Sequence, residues 1–124
     1  WVCAMTLDYI SGTMAACKAG EWSSGIARTG IYHKGSMLLV VMASGMLDMV
    51  MALGCNYFKS YGIYWPGIVL PLAVSWYVLT ELGSVLENAV KMGAPVPAWL
   101  IKILKTSILA VDKAADKFDP EKES

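Results

Sequence analysis

Three carboxylates, Asp8, Asp48 and Glu81, stand in long apolar stretches and are the residues whose chemistry most needs a reason. A charged group at a bilayer centre costs about 2.5–3.5 kcal/mol on insertion scales. Each acid shares a helical face with small or polar neighbours. Ala4, Asp8, Gly12, Ala16 and Gly20 follow one another at i+4 spacing. Ser44, Asp48 and Ala52 do the same, with Gly45 beside them, and Tyr77, Glu81, Ser84 and Asn88 share a third face. Small residues let helix backbones approach, and polar ones bond across the contact. The acids are therefore expected at helix interfaces or facing water. Three chemistries stay open: a water or solute path lined by acids, protonated carboxyls hydrogen-bonded in a structural bundle, and proton-coupled transport. The third wants a basic or second acidic partner in the same membrane plane, and the sequence places none there.

Little else has the pattern of a reactive site. Cys3, Cys17 and Cys55 form no CxxC pair, and the single His33 lies too far from them in spacing for a zinc set. The eight Met residues read as apolar gap-fillers. No Gly-rich phosphate loop and no Ser/His/Asp or Cys/His set is present. The expectation is no catalytic residue, no metal, no cofactor and no enzyme activity.

The elements that must position these acids follow from composition. The chain has 124 residues, 56% hydrophobic and 16% charged, with ten basic and ten acidic side chains. Its mean hydropathy is +0.52. Soluble domains carry about 25% charged residues. Eight of the 20 charges lie in residues 112–124, leaving 12 for the first 111 positions. That is too few to cover a small globule, which has a high surface-to-volume ratio. The zero net charge argues equally against a nucleic-acid partner, which calls for a basic surface. The class expected is an all-α integral membrane protein with three transmembrane helices and a C-terminal amphipathic helix.

The expected spans are residues 1–17, 36–53 and 63–86. Residues 18–34 read as a polar loop punctuated by Gly20, Gly25 and Gly30, and residues 55–61 as a turn. Pro66 suits the start of the third span; Pro71 either marks the true start or kinks the first turns. Trp22, Tyr32, Tyr57, Tyr61, Tyr64, Trp65 and Trp99 fall where membrane interfaces should lie. Lys18, Arg28 and Lys34 in the first loop, and six lysines after the third span, put that loop and the C-terminus in the cytoplasm by the positive-inside rule. The N-terminus and the Lys59 turn then face outside. Gly93, Pro95 and Pro97 break the third helix and form a hinge. Beyond them Leu100, Leu104, Ile108, Val111, Ala115 and Phe118 make an apolar stripe, opposite Lys102, Lys105, Asp112, Lys113, Asp116 and Lys117. That helix is expected to lie on the inner leaflet or to pack on a copy of itself. The units are thus residues 1–92, the hinge and helix 93–118, and a charged tail 119–124. No basic n-region or cleavage site marks the opening segment as a signal peptide.

Several short stretches resemble a known family. Leu7-Asp8-Tyr9-Ile10-Ser11-Gly12 is similar to the LDYxTG signature of the toxin secretion/phage lysis holins, with Ser11 for the usual Thr. Ser23-Ser24 and Gly30-Ile31-Tyr32-His33-Lys34 resemble that family's loop, where a serine pair precedes a Gly-x-x-x-Lys lead into the second span. Asp48 matches an aspartate late in that span. Thr80-Glu81-Leu82-Gly83-Ser84-Val85-Leu86-Glu87-Asn88 resembles NE-x-x-SI-x-EN, with Thr80 for Asn, and the run 92–100 resembles LG-x-PVP-x-x-L. The matches fall in order over residues 7–100.

The resemblance implies a phage or prophage holin: a homo-oligomer in the bacterial cytoplasmic membrane whose lesions release an endolysin or a toxin. Under it, Asp8, Gly12, Ala16, Ser44, Asp48, Glu81, Ser84 and Asn88 become helix-interface or lesion-lining positions. Such faces pack one way before triggering and another when lining a lesion. The alternatives are a membrane scaffold without pore activity and a small multi-pass transporter.

Overall fold

The computed structural model describes residues 1–118, the side chain of Ile26 aside; the expected tail at 119–124 lies outside the described residues. The described residues form four α-helices and one 3-10 turn, with no strand: α1 Val2–Ala19, α2 Ser24–Tyr57, the turn Lys59–Tyr61, α3 Val69–Lys91 and α4 Ala98–Asp116.

Each break has a local cause. α1 ends at Gly20, whose φ of 72° is left-handed, and the Glu21 N–H donates back to the Ala16 carbonyl at 3.0 Å. α2 resumes at Ser24, which corrects the expected loop over 18–34: most of that segment is helix. A glycine inside a helix costs about 1 kcal/mol relative to alanine, and Gly30 is accommodated at the contact with α1. A Cβ there would lie 3.6 Å from Tyr9 Cε2, ordinary contact distance, so this is where α1 packs on α2. α3 begins at Val69, six residues later than expected, after Gly67 at φ 68°. Pro71 falls in the first turn, where its missing N–H is no loss. α3 runs on to Lys91 and closes through Gly93 at φ 92°, with the Ala94 N–H donating to the Ala89 carbonyl at 2.9 Å. Pro97 is extended and opens α4.

α3 is the hub. α1 runs parallel to it: Trp1 meets Tyr77 at a ring-centroid distance of 6.4 Å, Asn88 reaches Asp8, and the Lys18 ammonium donates to the Met92 carbonyl. α2 runs antiparallel, with Gly45 against Leu70. α4 folds back along α3. Leu104 sits over Gly83, where a Cβ would come within 3.2 Å of its Cδ2, and Ala115 and Phe118 share a cleft with Ile68 and Val69. This departs from both expectations for the amphipathic helix: within one chain its apolar stripe lies on α3.

Two helical stretches are long and apolar enough to cross a bilayer, Ala27–Tyr57 and Val69–Lys91. α1 is not among them. Its 18 residues include Asp8 and Lys18 with Thr6, Ser11 and Thr13. The two apolar helices are not core helices of a soluble fold. Among the described residues only Ala4, Ala15, Met37, Ser44 and Glu81 are buried, while Leu39 is 66% and Met46 65% exposed. The chain exposes 8894 Å², against about 6500 Å² for a soluble monomer of this mass.

Candidate functional site

The site grows from one residue that a loop assignment hid. Because α2 starts at Ser24, Gly30 and Lys34 are one turn apart on the same helical face. Gly30 meets Tyr9 of α1, and Lys34 then reaches the α1–α3 seam. Its ammonium donates to Asp8 Oδ2 at 2.7 Å and to the Glu81 carboxylate. Asn88, two turns along α3 from Glu81, donates through Nδ2 to Asp8 Oδ1 at 3.2 Å and to Ser11 Oγ at 3.1 Å. One ammonium thus answers two carboxylates contributed by two other helices. Glu81 is 2% exposed, Asp8 and Lys34 below one fifth. Glu81 is the thirteenth of 23 residues in α3, about 18 Å from one end and about 15 Å from the other at 1.5 Å per residue. The cluster therefore sits at mid-helix. The partner in the same plane that the sequence did not reveal is Lys34.

A crevice of about 330 Å³ leads to the cluster between α1, the start of α2 and the end of α3. Asp8, Gly12, Ala16, Ser84 and Asn88 line it with His33, Lys34, Glu87 and Lys91. Gly12 packs beside Asn88: a Cβ there would stand 3.4 Å from Asn88 Nδ2. Ser84 donates within its own helix, to the Thr80 carbonyl at 3.3 Å.

Ser44 and Asp48 stand apart from this group. Fourteen residues separate Lys34 from Asp48 along α2, about 21 Å. Ser44 is buried and donates to the Val40 carbonyl at 2.8 Å, so it bonds within its own helix. Asp48 has a different task. α3 carries no side-chain cap of its own at Ile68. The Asp48 carboxylate accepts the Val69 N–H at 3.1 Å, the Leu70 N–H at 2.7 Å and the Trp65 indole N–H at 2.9 Å. It is an N-cap supplied from another helix, placed where the helix dipole favours an anion. Trp65, read as an interface anchor, is one of its donors. Gly93, Pro95 and Pro97 lie between α3 and α4, with Gly93 in left-handed backbone.

Among the described residues no group of three or more His, Cys, Asp or Glu side chains is placed to hold a metal ion. Cys3 and Cys17 are exposed and Cys55 is half-buried, all as free thiols. The arrangement offers ion pairing and hydrogen bonding at mid-helix depth, with polar access from one end.

Residues 1–107 match the sequence model of the bacteriophage holin family. The chain is 33% identical over 99 residues to an uncharacterized protein of Clostridium perfringens strain 13, covering 80% of this chain and 65% of that one. An uncharacterized 14.9 kDa protein of the nagH 3′ region of Clostridium perfringens is 33% identical over 80% of this chain and 67% of its own length. An uncharacterized Listeria monocytogenes protein is 33% identical over 98% of this chain and 74% of its own. The chain thus spans about two thirds of the length of the first two relatives. No solved structure matches it.

Proposed function

The chain belongs to the bacteriophage holin family, and from that premise we propose that it oligomerises in a bacterial cytoplasmic membrane and opens lesions that release an endolysin or a toxin. The family is not one of enzymes, and the proposed role needs no catalytic group. α2 and α3 cross the bilayer in this reading, and α1 crosses with them as a third span. Its hydroxyls suit that: Thr6 and Thr13 donate to carbonyls four residues back at 2.8 Å, and Ser11 to the Asp8 carbonyl at 3.1 Å. The N-terminus faces outward and the Lys91 end of α3 inward.

The observation that carries the reading is the Asp8–Lys34–Glu81 cluster at the middle of α3. Buried in one protomer, it holds three helices together without showing charge to lipid. Opened, the same three side chains are strongly hydrophilic and stable only against water or another copy's polar face. A structure with two such acceptable arrangements is the bistable element a timed lesion requires.

The Lys34 contacts also favour a second reading, a small proton-coupled transporter, because they supply the partner such a carrier uses. The two differ in what passes. A holin makes the membrane leaky to large solutes after a delay; a carrier gives saturable flux of one substrate with the potential maintained. Induced expression in bacteria, followed by culture density and membrane potential, tests the first. Abrupt loss of potential with release of a co-expressed endolysin is expected. Full viability with the protein abundant in the membrane would leave a scaffold without pore activity.

A further inference from the structure

α4 lies antiparallel on α3 from end to end, and its outer face carries charges among exposed apolar side chains. Leu104 meets Gly83, eight residues and so about 12 Å inside the Lys91 end of α3. Ala115 and Phe118 come beside Ile68 and Val69, at the other end. Away from α3, α4 exposes Lys102, Asp112, Lys113 and Lys117 together with Ile103 and Leu109, and Lys105 stands exposed at the rim of the α3–α4 cleft. These charges therefore occupy the same depths as the apolar body of α3. Lipid tails cannot neighbour them. The docking itself has a close contact, since a Cβ at 83 would stand 3.2 Å from Leu104 Cδ2, tight enough that the leucine would have to give by a few tenths of an ångström. The turn into α4 is fixed as well, by left-handed Gly93 and by Lys18 on the Met92 carbonyl. A protomer with an exposed apolar flank on α2 and a charged flank on α4 has the sidedness of a stave around water.

Resting on the lesion-forming reading above, we propose that α4 stays docked on α3 within the membrane and that its charged outer face is the water-facing wall of the lesion assembled from copies of this chain. The opposing arrangement is an α4 that swings off at Gly93 and lies on the membrane surface.

The test uses the full chain with Cys3→Ser, Cys17→Ser and Cys55→Ser, reconstituted in vesicles of phosphatidylethanolamine and phosphatidylglycerol loaded with a fluorescent dextran. Lys105→Cys and Asp112→Cys should react with a membrane-impermeant thiol reagent within about tenfold of the rate at Lys59→Cys, a water-exposed turn position, while Met46→Cys reacts about a hundredfold or more slower. A bulky adduct at Lys105→Cys should slow dextran release several-fold. In Thr80→Cys/Ile108→Cys, two positions lining the α3–α4 cleft, a short bis-thiol linker should leave release intact. Protection of Lys105→Cys equal to that of Met46→Cys would overturn the proposal. So would release abolished by the linker while Lys105→Cys stays reactive, which is the surface-helix result. No dextran release from the unlinked chain would instead defeat the lesion reading, and the α4 proposal with it.

Discussion

Asp48 and Glu81 are both carboxylates on helices apolar enough to cross a bilayer, and the fold satisfies them in opposite ways. Asp48 is answered by three neutral N–H donors, two of them the free amides at the start of α3. Glu81 is answered by an ammonium that it shares with Asp8. The first solution is local, because any acceptor of the right shape and charge at one helix end would do. The second is collective: α1, α2 and α3 each contribute a charge, and removing the shared ammonium leaves both carboxylates unanswered. A helix cap fixes where α3 begins. A shared ion cluster fixes whether three helices stay together, and is the better placed of the two to act as a switch.

The sharpest break of this comparison is Lys34→Met. Removing one partner of a buried ion pair costs about 3–5 kcal/mol, because the remaining charge stays unanswered. Here two carboxylates are left. The expected result is the largest loss of thermal stability in detergent of any single change discussed, with failure to accumulate in the membrane. Lys34→Met combined with Asp8→Asn and Glu81→Gln removes all three charges and should recover most of the loss. A single variant as stable as wild type would mean that the cluster is not the keystone of the three helices.

Asp48→Ala should come next. It leaves the Val69, Leu70 and Trp65 donors unmet and frees the first turn of α3. Hydrogen exchange at the Val69 and Leu70 amides should quicken while amides around Gly30 and Lys34 keep their protection. Equal quickening at both places would erase the distinction between a local cap and a collective cluster.

Glu81→Gln keeps the shape and leaves Lys34 with one carboxylate, so charge at the cluster balances. Losing part of a side-chain bond between membrane helices costs up to about 1.7 kcal/mol, enough to shift a near-balanced equilibrium by more than tenfold. Membrane levels should match wild type on a blot, while the onset of lysis in induced cultures moves. Unchanged timing at equal abundance would detach the cluster from triggering.

The sequence made the acids legible because a lone charge in an apolar run must find a partner or water. It also made the helical content legible, and a C-terminal helix whose stripe had to meet something. Lys34 was harder. Glycines at 25 and 30 and a run of polar residues have the composition of a loop, and contacts from other helices, Tyr9 at Gly30 and the two carboxylates at Lys34, offset the glycine cost of a helix there. The i+4 spacing of Gly30 and Lys34, on one face, was the available signal. The cap role of Asp48 was not readable, because its partners are backbone amides at the start of a helix 21 residues further on. The docking of α4 turns on Gly83, which carries no polarity to flag it.

The smallest effect tests how far the cluster extends. Asn88 bonds Asp8 and Ser11 but carries no charge. If it only orients Asp8, Asn88→Ala should cost about 0.6 kcal/mol, the average for a polar contact between membrane helices. Ser11→Ala should cost still less, since the Ser11 hydroxyl already donates to the Asp8 carbonyl in its own helix. The informative quantity is the coupling in a double-mutant cycle between Asn88→Ala and Asp8→Asn, read from thermal stability in detergent. Asn88 and Asp8 touch, so their effects should not add, whereas Asn88→Ala and Asp48→Ala act at opposite ends of α3 and should. Additivity in the first cycle would confine the collective site to the three charges. Coupling in the second would mean that cap and cluster communicate along α3, and the contrast between them would no longer hold.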